Sequence, residues 1–276
     1  MFMPKFIDQT YLKTDQYRDA SNLNVRIEIH RRFSVNLRGW FPWVWDILEK
    51  LPQRARVLEL GCGAGSLWTA CPERIPAGWV LTLSDLSEGM LKSAWQNLIV
   101  IGRGIKFEQI DAQSIPYPDE TFDIVIANHM LYHVPDRPKA IAEIRRVLRS
   151  PDPVSGKSGG HLIATTVSEN HLKEMNDWFR RVKADMDFSA GTNPFTLENG
   201  REQIQPFFGQ VEIHRYEDSL AITEIPPLMA YLKSSISFGD VPEPALAQLE
   251  QELQNELQSK GAIYVAKDSG LFFAAK

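Results

Sequence analysis

Three carboxylates and a run of alternating glycines are spaced through the first half of this chain in a way that suits binding of a cationic nucleoside. Glu59 precedes Gly61-Cys62-Gly63-Ala64-Gly65, Asp85 follows twenty residues after the last of these glycines, and Asp111 comes later with Ala112 beside it. A loop without side chains lets backbone approach a ligand closely. Asp85 is placed to accept hydrogen bonds from ribose hydroxyls, the part an acidic residue plays in nucleoside sites. Asp111 suits an adenine amino group, with the Ala112 amide donating to the ring. Glu59 either orders the loop or meets an ammonium group.

The elements that must hold these residues follow from the apolar pattern. Val57–Leu60 reads as a strand running into the glycine turn and then into a helix from Ser66. Trp79–Leu83 leads to Asp85, Ile105–Ile110 leads to Asp111, and Phe122–Ala127 and Gly160–Thr166 are further strands with a helix near Pro138–Leu148 between them. Strands alternating with helices define an α/β fold, a mostly parallel sheet with helices on both faces and its ligand at one edge. Residues 23–33 read as a leading helix, and Gly39–Leu48, with three tryptophans, as a buried helix against the sheet. Farther on, helical spacing is expected from Glu169 to Phe188 and between Pro226 and Lys260. Val211–Tyr216, Ile263–Val265 and Leu271–Phe273 read as strands, the last two separated by a turn at Lys267–Gly270.

Which nucleoside is decided by position 66. A dinucleotide fingerprint requires glycine at 61, 63 and 66, but residue 66 is Ser and the third glycine is Gly65. A pyrophosphate needs a loop that opens directly onto a helix N-terminus. S-adenosylmethionine has no phosphate and needs only a thin loop, so it is the favoured cofactor. Taken singly, glycines can serve a tight turn and Asp85 or Asp111 can cap a helix. All of them in order, after successive strands, argue against coincidence.

With these residues assembled, the chain resembles the class I S-adenosylmethionine-dependent methyltransferases. The resemblance rests on residues 57–65, Leu83-Ser-Asp-Leu-Ser-Glu-Gly-Met-Leu91, Asp111-Ala112 with residues 115–123, and Asn128-His-Met-Leu-Tyr-His-Val134. It covers residues 54–168 well, and within the family it is most similar to the small-molecule and lipid-quinone branch. It implies a Rossmann-like seven-stranded sheet whose last strand is antiparallel, and it adds Leu86 and Asn128 to the cofactor contacts. It also implies a division into an N-terminal helical cap (1–50) and a methyltransferase domain (51–276), with cap insertions at about 169–200 and 225–260. The loop at 150–160 is longer than the short turn that relatives often carry.

Such a donor needs a positioned acceptor more than it needs a catalytic base. His133 is the candidate base if a proton must leave, whereas His129 reads as structural. Tyr11, Tyr17 and Arg18 are placed to close over the site. Arg145, Arg146 and Arg149, like His30, Arg31 and Arg32, read as solvated faces. The cysteines Cys62 and Cys71 are too few for a disulfide framework or a Cys-rich zinc site, and no metal is expected.

Composition narrows the partners. With 30 Lys+Arg against 35 Asp+Glu the net charge is -5, which argues against a nucleic-acid partner. No stretch approaches the ~18 apolar residues of a membrane span, so a cytoplasmic protein is expected. The expected function is methyl transfer to a small organic acceptor. A nucleotide-binding Rossmann oxidoreductase, disfavoured by Ser66, and a non-catalytic partner protein that keeps the fold are the competing readings.

Overall fold

The computed structural model describes residue 5 and residues 7–154, 158–182, 193–234 and 241–276. A turn of helix, α1 (Gln9–Tyr11), is capped by Asp8, which accepts from the Thr10 and Tyr11 amides. Then come α2 (Ser21–Phe33) and α3 (Trp40–Leu48). The alternating part follows as β1 (Arg54–Leu60), α4 (Ser66–Ala70), β2 (Gly78–Asp85), α5 (Glu88–Leu98), β3 (Lys106–Gln109), β4 (Ile124–Asn128), α6 (Arg137–Val147) and β5 (His161–Val167). The remainder is α7 (Lys173–Val182), α8 (Gly200–Ile204), β6 (Gln210–Ile222), α9 (Ile225–Ser234), α10 (Glu243–Lys260) and β7 (Ile263–Ala275).

The strands form one sheet in the order β3-β2-β1-β4-β5-β7-β6, with β7 antiparallel to both β5 and β6. This is the seven-stranded arrangement that the resemblance implied. The chain winds outward from β1 to β3 and returns to β4 on the other side of β1, so the C-terminal ends of β1 and β4 flank a switch point where α/β sheets bind ligands. β4 is buried on both faces from Ile124 to Ala127, as a strand covered by helices on both sides must be. One face packs Phe122, Val125 and Leu162 against Ile141 and Ile144 of α6. The other packs Trp45 of α3 against Trp68 and Trp79, with ring centroids 5.7 and 5.9 Å away.

A third apolar cluster sits on an arm of the sheet. β5 pairs with β7 only as far as Val167 opposite Ser269, while β6 and β7 remain paired to Ile222 opposite Ile263. On this projecting antiparallel β6–β7 pair Leu220, Ile222, Ile263 and Val265 pack with Ile29 and Phe33 of α2, Trp178 of α7, Leu228 of α9 and Leu249 of α10. Among the described residues, no helix is long and apolar enough to cross a membrane.

Several expectations are corrected. Lys267–Gly270 does not turn, and Ile263–Ala275 is one continuous strand. Lys267 points inward, its Nζ 2.6 Å from Asp218 Oδ2 on β6, with the two side chains only 7% and 0% exposed. Gly270 is there because a Cβ would lie 2.4 Å from the His214 carbonyl oxygen across the ladder. The helix expected over 169–188 is seen as α7, and residues 183–188, including Met186, lie outside the described residues. Two helices, α9 and α10, occupy the 226–260 region. Arg146 is no solvated cation, since it donates to the Ile115 and Tyr117 carbonyls and pairs with Glu143 and Asp119, tying α6 to the loop before β4. Arg145 donates to the Phe207 carbonyl and Arg149 pairs with Asp123. Arg31 and Arg32 pair with Glu28 and Glu224, but His30 turns inward with its Nδ1 buried.

Candidate active site

The glycine loop leaves β1 with Gly61, Gly63 and Gly65 at φ +67°, +54° and +79°. At two of these, space as well as backbone conformation requires glycine. A Cβ on Gly61 would lie 2.7 Å from Met130 Cβ, and one on Gly65 would lie 2.7 Å from Leu98 Cδ1 of α5. The thin loop lets the β4 tip and α5 close in around the switch point.

Asp85, the last residue of β2, lies beside this loop. Its Oδ2 accepts from the Gly63 amide at 2.9 Å and its Oδ1 from the Ser87 amide at 2.8 Å. Burial raises its pKa, while those amides and that of Leu86 pull it back. A carboxylate offers about four lone-pair sites, so with these amides engaged capacity remains for about one ligand hydroxyl. The Leu86 carbonyl accepts from Gln109 Nε2 at 2.8 Å, which fixes the turn after β2 against the tip of β3.

The other carboxylates are engaged differently. Glu59 is 1% exposed and accepts from Trp68 Nε1 of α4, so it ties β1 to α4 and orders the loop from behind. Burial, then the charge of Asp85 against the opposing Trp68 bond, pushes its carboxyl up to about 8. Asp111 accepts from the Gln113 amide at 2.9 Å and from Gln113 Nε2, and Gln9 Nε2 reaches its Oδ2 at 3.4 Å. A ligand amino group at Asp111 would take the place of Gln9. Ala112 beside it is buried.

The tip of β4 supplies the fourth wall. Asn128 Oδ1 accepts from Thr165 Oγ1 at 2.7 Å, and Thr165 in turn accepts from the His129 amide at 2.8 Å. His129 is held at φ +52°, a conformation non-glycine residues rarely adopt. Burial and the charge of Lys267 lower its pKa to about 4, so its imidazole is neutral. His133, on the following 3₁₀ turn, lies with Nε2 2.9 Å from the Tyr17 hydroxyl.

That hydroxyl belongs to a strap, residues 8–20, laid across the strand tips. Besides Gln9 on Asp111 and Tyr17 on His133, the Tyr17 carbonyl accepts from Ser87 Oγ at 2.7 Å. The Arg18 carbonyl crosses α5 so closely that a Cβ on Gly89 would sit 1.8 Å from its oxygen. The structure thus gathers Gly61, Gly63, Gly65, Asp85, Leu86, Asn128 and His133 around the switch point and Asp111 and Ala112 at its rim. It turns Glu59 into the interior. Sequence reasoning missed Ser87 and Gln9. Ser87 had a signal, since it sits at the N-cap of α5 and accepts from the Met90 amide, but Gln9 had none. A surface groove lined by Glu120, Arg145, Phe207 and Lys276 lies at the opposite edge of the sheet, away from these groups.

The topology and the strand-tip site are similar to those of class I S-adenosylmethionine-dependent methyltransferase domains, as the resemblance implied. Residues 58–151 match the family model described as a methyltransferase domain. The ubiquinone/menaquinone biosynthesis C-methyltransferase UbiE of Xanthomonas campestris is 31% identical over 64% of this chain and 63% of its own length. The corresponding protein of Cronobacter sakazakii is matched over 57% of its length, so the chain spans less than two thirds of these curated relatives. Among solved structures, Haemonchus contortus phosphoethanolamine N-methyltransferase 2 in complex with S-adenosyl-L-methionine aligns over 98% of this chain and 60% of its own, at 19% identity and a TM-score of 0.58. S-adenosylmethionine is the cofactor of the family. The remaining acceptor capacity of Asp85 and the glycine-rich loop facing it fit the ribose and methionine parts of that group.

Proposed function

We propose that this protein transfers a methyl group from S-adenosylmethionine to a small organic acceptor. The supporting observation is that β1, β2 and β4 end together, at one switch point, in a glycine loop, a carboxylate already oriented by that loop, and a histidine. The strap of residues 8–20 covers them. When bound, the sulfonium supplies an activated methyl group for in-line displacement. The protein's work is then to orient the acceptor and exclude water.

In this reading Asp85 holds the ribose, Gly61–Gly65 admits the methionine portion, and Glu59 keeps the loop in place through Trp68. Leu86, Asn128, Asp111 and Ala112 complete the cofactor walls. His133 is the candidate base, with the Tyr17 hydroxyl fixing its ring. If it removes the acceptor proton, His133→Gln abolishes the acid limb of the pH–rate profile while cofactor affinity stays unchanged. An unaltered limb leaves His133 a positioning role only. The names of the curated relatives put a carbon nucleophile on a quinone precursor first among the acceptors to try.

The test has two steps. Calorimetry with S-adenosylhomocysteine must show binding, and absence of heat at millimolar ligand overturns the cofactor assignment. Labelled S-adenosylmethionine is then added to a cell extract that is split into small-molecule, protein and RNA fractions. Label in the small-molecule fraction is expected, and label confined to protein or RNA overturns the acceptor class. Binding and transfer are tested separately because the fold alone does not decide between them. The [4+2]-cyclase SpnF aligns over 85% of this chain and 80% of its own with a TM-score of 0.51 and 21% identity.

A further inference from the structure

The β4 tip touches the glycine loop through Met130, and through His129 and Tyr132 it borders a second set of side chains. Trp40 of α3 lies with its ring centroid 5.0 Å from that of His129, and Tyr132 packs 4.6 Å from His133. The Tyr17 ring stands 5.4 Å from His133 and carries the Arg26 guanidinium 5.5 Å above it. Tyr231 of α9 closes the far side, 5.9 Å from His30. Arg26 and His30 are four residues apart on α2 and therefore share one face.

Among the described residues, three buried nitrogens of these side chains make no hydrogen bond. They are Trp40 Nε1 on α3 and, together on α2, Arg26 Nη2 and His30 Nδ1. Arg26 uses its Nε on the Asn22 carbonyl of its own helix, 3.2 Å away, and among the described residues no carboxylate pairs with it. Arg31, Arg32, Arg74, Arg146 and Arg149 all have acidic partners. A guanidinium nitrogen withdrawn from water without a counter-ion is costly, and the fold has to supply a reason for keeping it.

We propose that Arg26 is the counter-ion for an oxyanion on the methyl acceptor, a carboxylate or an ionised phenol. His30 Nδ1–H donates alongside it, and the rings of Tyr17, Tyr132 and Tyr231 flank the ligand. This rests on the methyltransferase reading above. An aromatic enclosure by itself would suit a quaternary ammonium, but the Arg26 guanidinium at its wall, with its Nη2 buried, repels one. An ionised phenol held there is already an electron-rich nucleophile at oxygen and at its ring carbons, so Arg26 would activate the acceptor without removing a proton itself. The proton is lost to solvent before binding. A carboxylate would serve as an anchor only.

The test uses paired probes on the intact protein. Benzoate is compared with benzamide, and 4-nitrophenolate at pH 8 with 4-nitroanisole, by calorimetry with and without saturating S-adenosylhomocysteine. At least one anion should bind about tenfold or more tightly than its neutral match, the scale of one charge-assisted hydrogen bond. Which pair shows the preference identifies the oxygen. Arg26→Gln should erase it and Arg26→Lys should retain most of it. Equal binding within both pairs, or a preference that survives Arg26→Gln, overturns the proposal. If Arg26→Gln does not fold, His30→Leu removes the neighbouring donor, and an unchanged preference there overturns it equally. Cofactor binding without anion preference defeats this proposal alone. Anion preference without cofactor binding supports the subsite and defeats the methyl-transfer reading.

Discussion

Asp85 is bonded to its own loop before any ligand arrives, since the Gly63 and Ser87 amides both donate to it. Asp85→Ala therefore removes a ligand contact and releases the loop together. S-adenosylhomocysteine affinity should fall more than about tenfold, because buried donors lose their acceptor. An unchanged dissociation constant by calorimetry would remove Asp85 from the site. Asp85 was legible in the sequence because its position needs only a strand before it and a glycine loop earlier in the chain. Arg26 was not. The neighbouring His30-Arg31-Arg32 run looks solvated, and what buries the Arg26 face of α2 is α9, roughly two hundred residues away in sequence. Glu59 was half legible: its place beside the loop could be read, but its inward turn depends on Trp68, whose indole needs an acceptor once buried.

At the scale of elements, α2, the β4 tip and the turn before α7 bring His30, His129 and His171 together, with no ion pair to a carboxylate among the described residues, although the Asp218 charge bears on His171. The His30 and His171 ring centroids lie 6.4 Å apart. Burial lowers all three, His129 to about 4 and His171 to about 3, with the charge of Lys267 adding to it in each case and His129 bearing also on His30 and His171. In the unfolded chain these rings take up protons below pH 6.5, the ordinary histidine value, whereas in the fold they stay neutral until more acid conditions. Stability is then complete above that pH and falls as the pH drops toward 4, by about 1.4 kcal/mol per pH unit for each histidine. Urea midpoints between pH 7 and pH 4.5 should show this slope, and His171→Asn should flatten it. A wild-type midpoint independent of pH over that interval would contradict the assignment.

The strand β7 shows why some elements resisted reading. Lys267-Asp-Ser-Gly270 has the composition of a turn, and only the partner 49 residues earlier, Asp218, converts Lys267 into a strand residue. Asp218 also accepts from Ser34 Oγ and the Asn36 amide, so the pair joins β6, β7 and the end of α2. Removing one partner alone leaves a buried charge uncompensated. Lys267→Met should cost about 3–5 kcal/mol in urea unfolding, and adding Asp218→Leu should recover a measurable part of that loss. A double variant no more stable than the single one would mean that the pair's other hydrogen bonds matter more than its charge.

For the whole molecule, the strand order and the edge that binds ligand were legible because alternation of strands and helices leaves few topologies open. The division of labour among the apolar clusters was not legible, because it depends on where β6 and β7 outrun β5. Residues Leu271–Ala274 of β7 lie within the two clusters that sandwich the sheet, while Ile263 and Val265 lie in the cluster under α2, α7, α9 and α10. One uninterrupted strand is therefore shared by the cofactor domain and the helices that wall the Arg26 enclosure. The helices cannot melt away from the sheet without breaking the β6–β7 ladder partway along, which would expose the Lys267–Asp218 charges to an open end. Calorimetric unfolding should accordingly show a single transition whose van't Hoff and calorimetric enthalpies agree. Two resolved transitions would show instead that the projecting β6–β7 pair acts as a hinge, with the enclosure able to loosen while the nucleoside cradle stays folded.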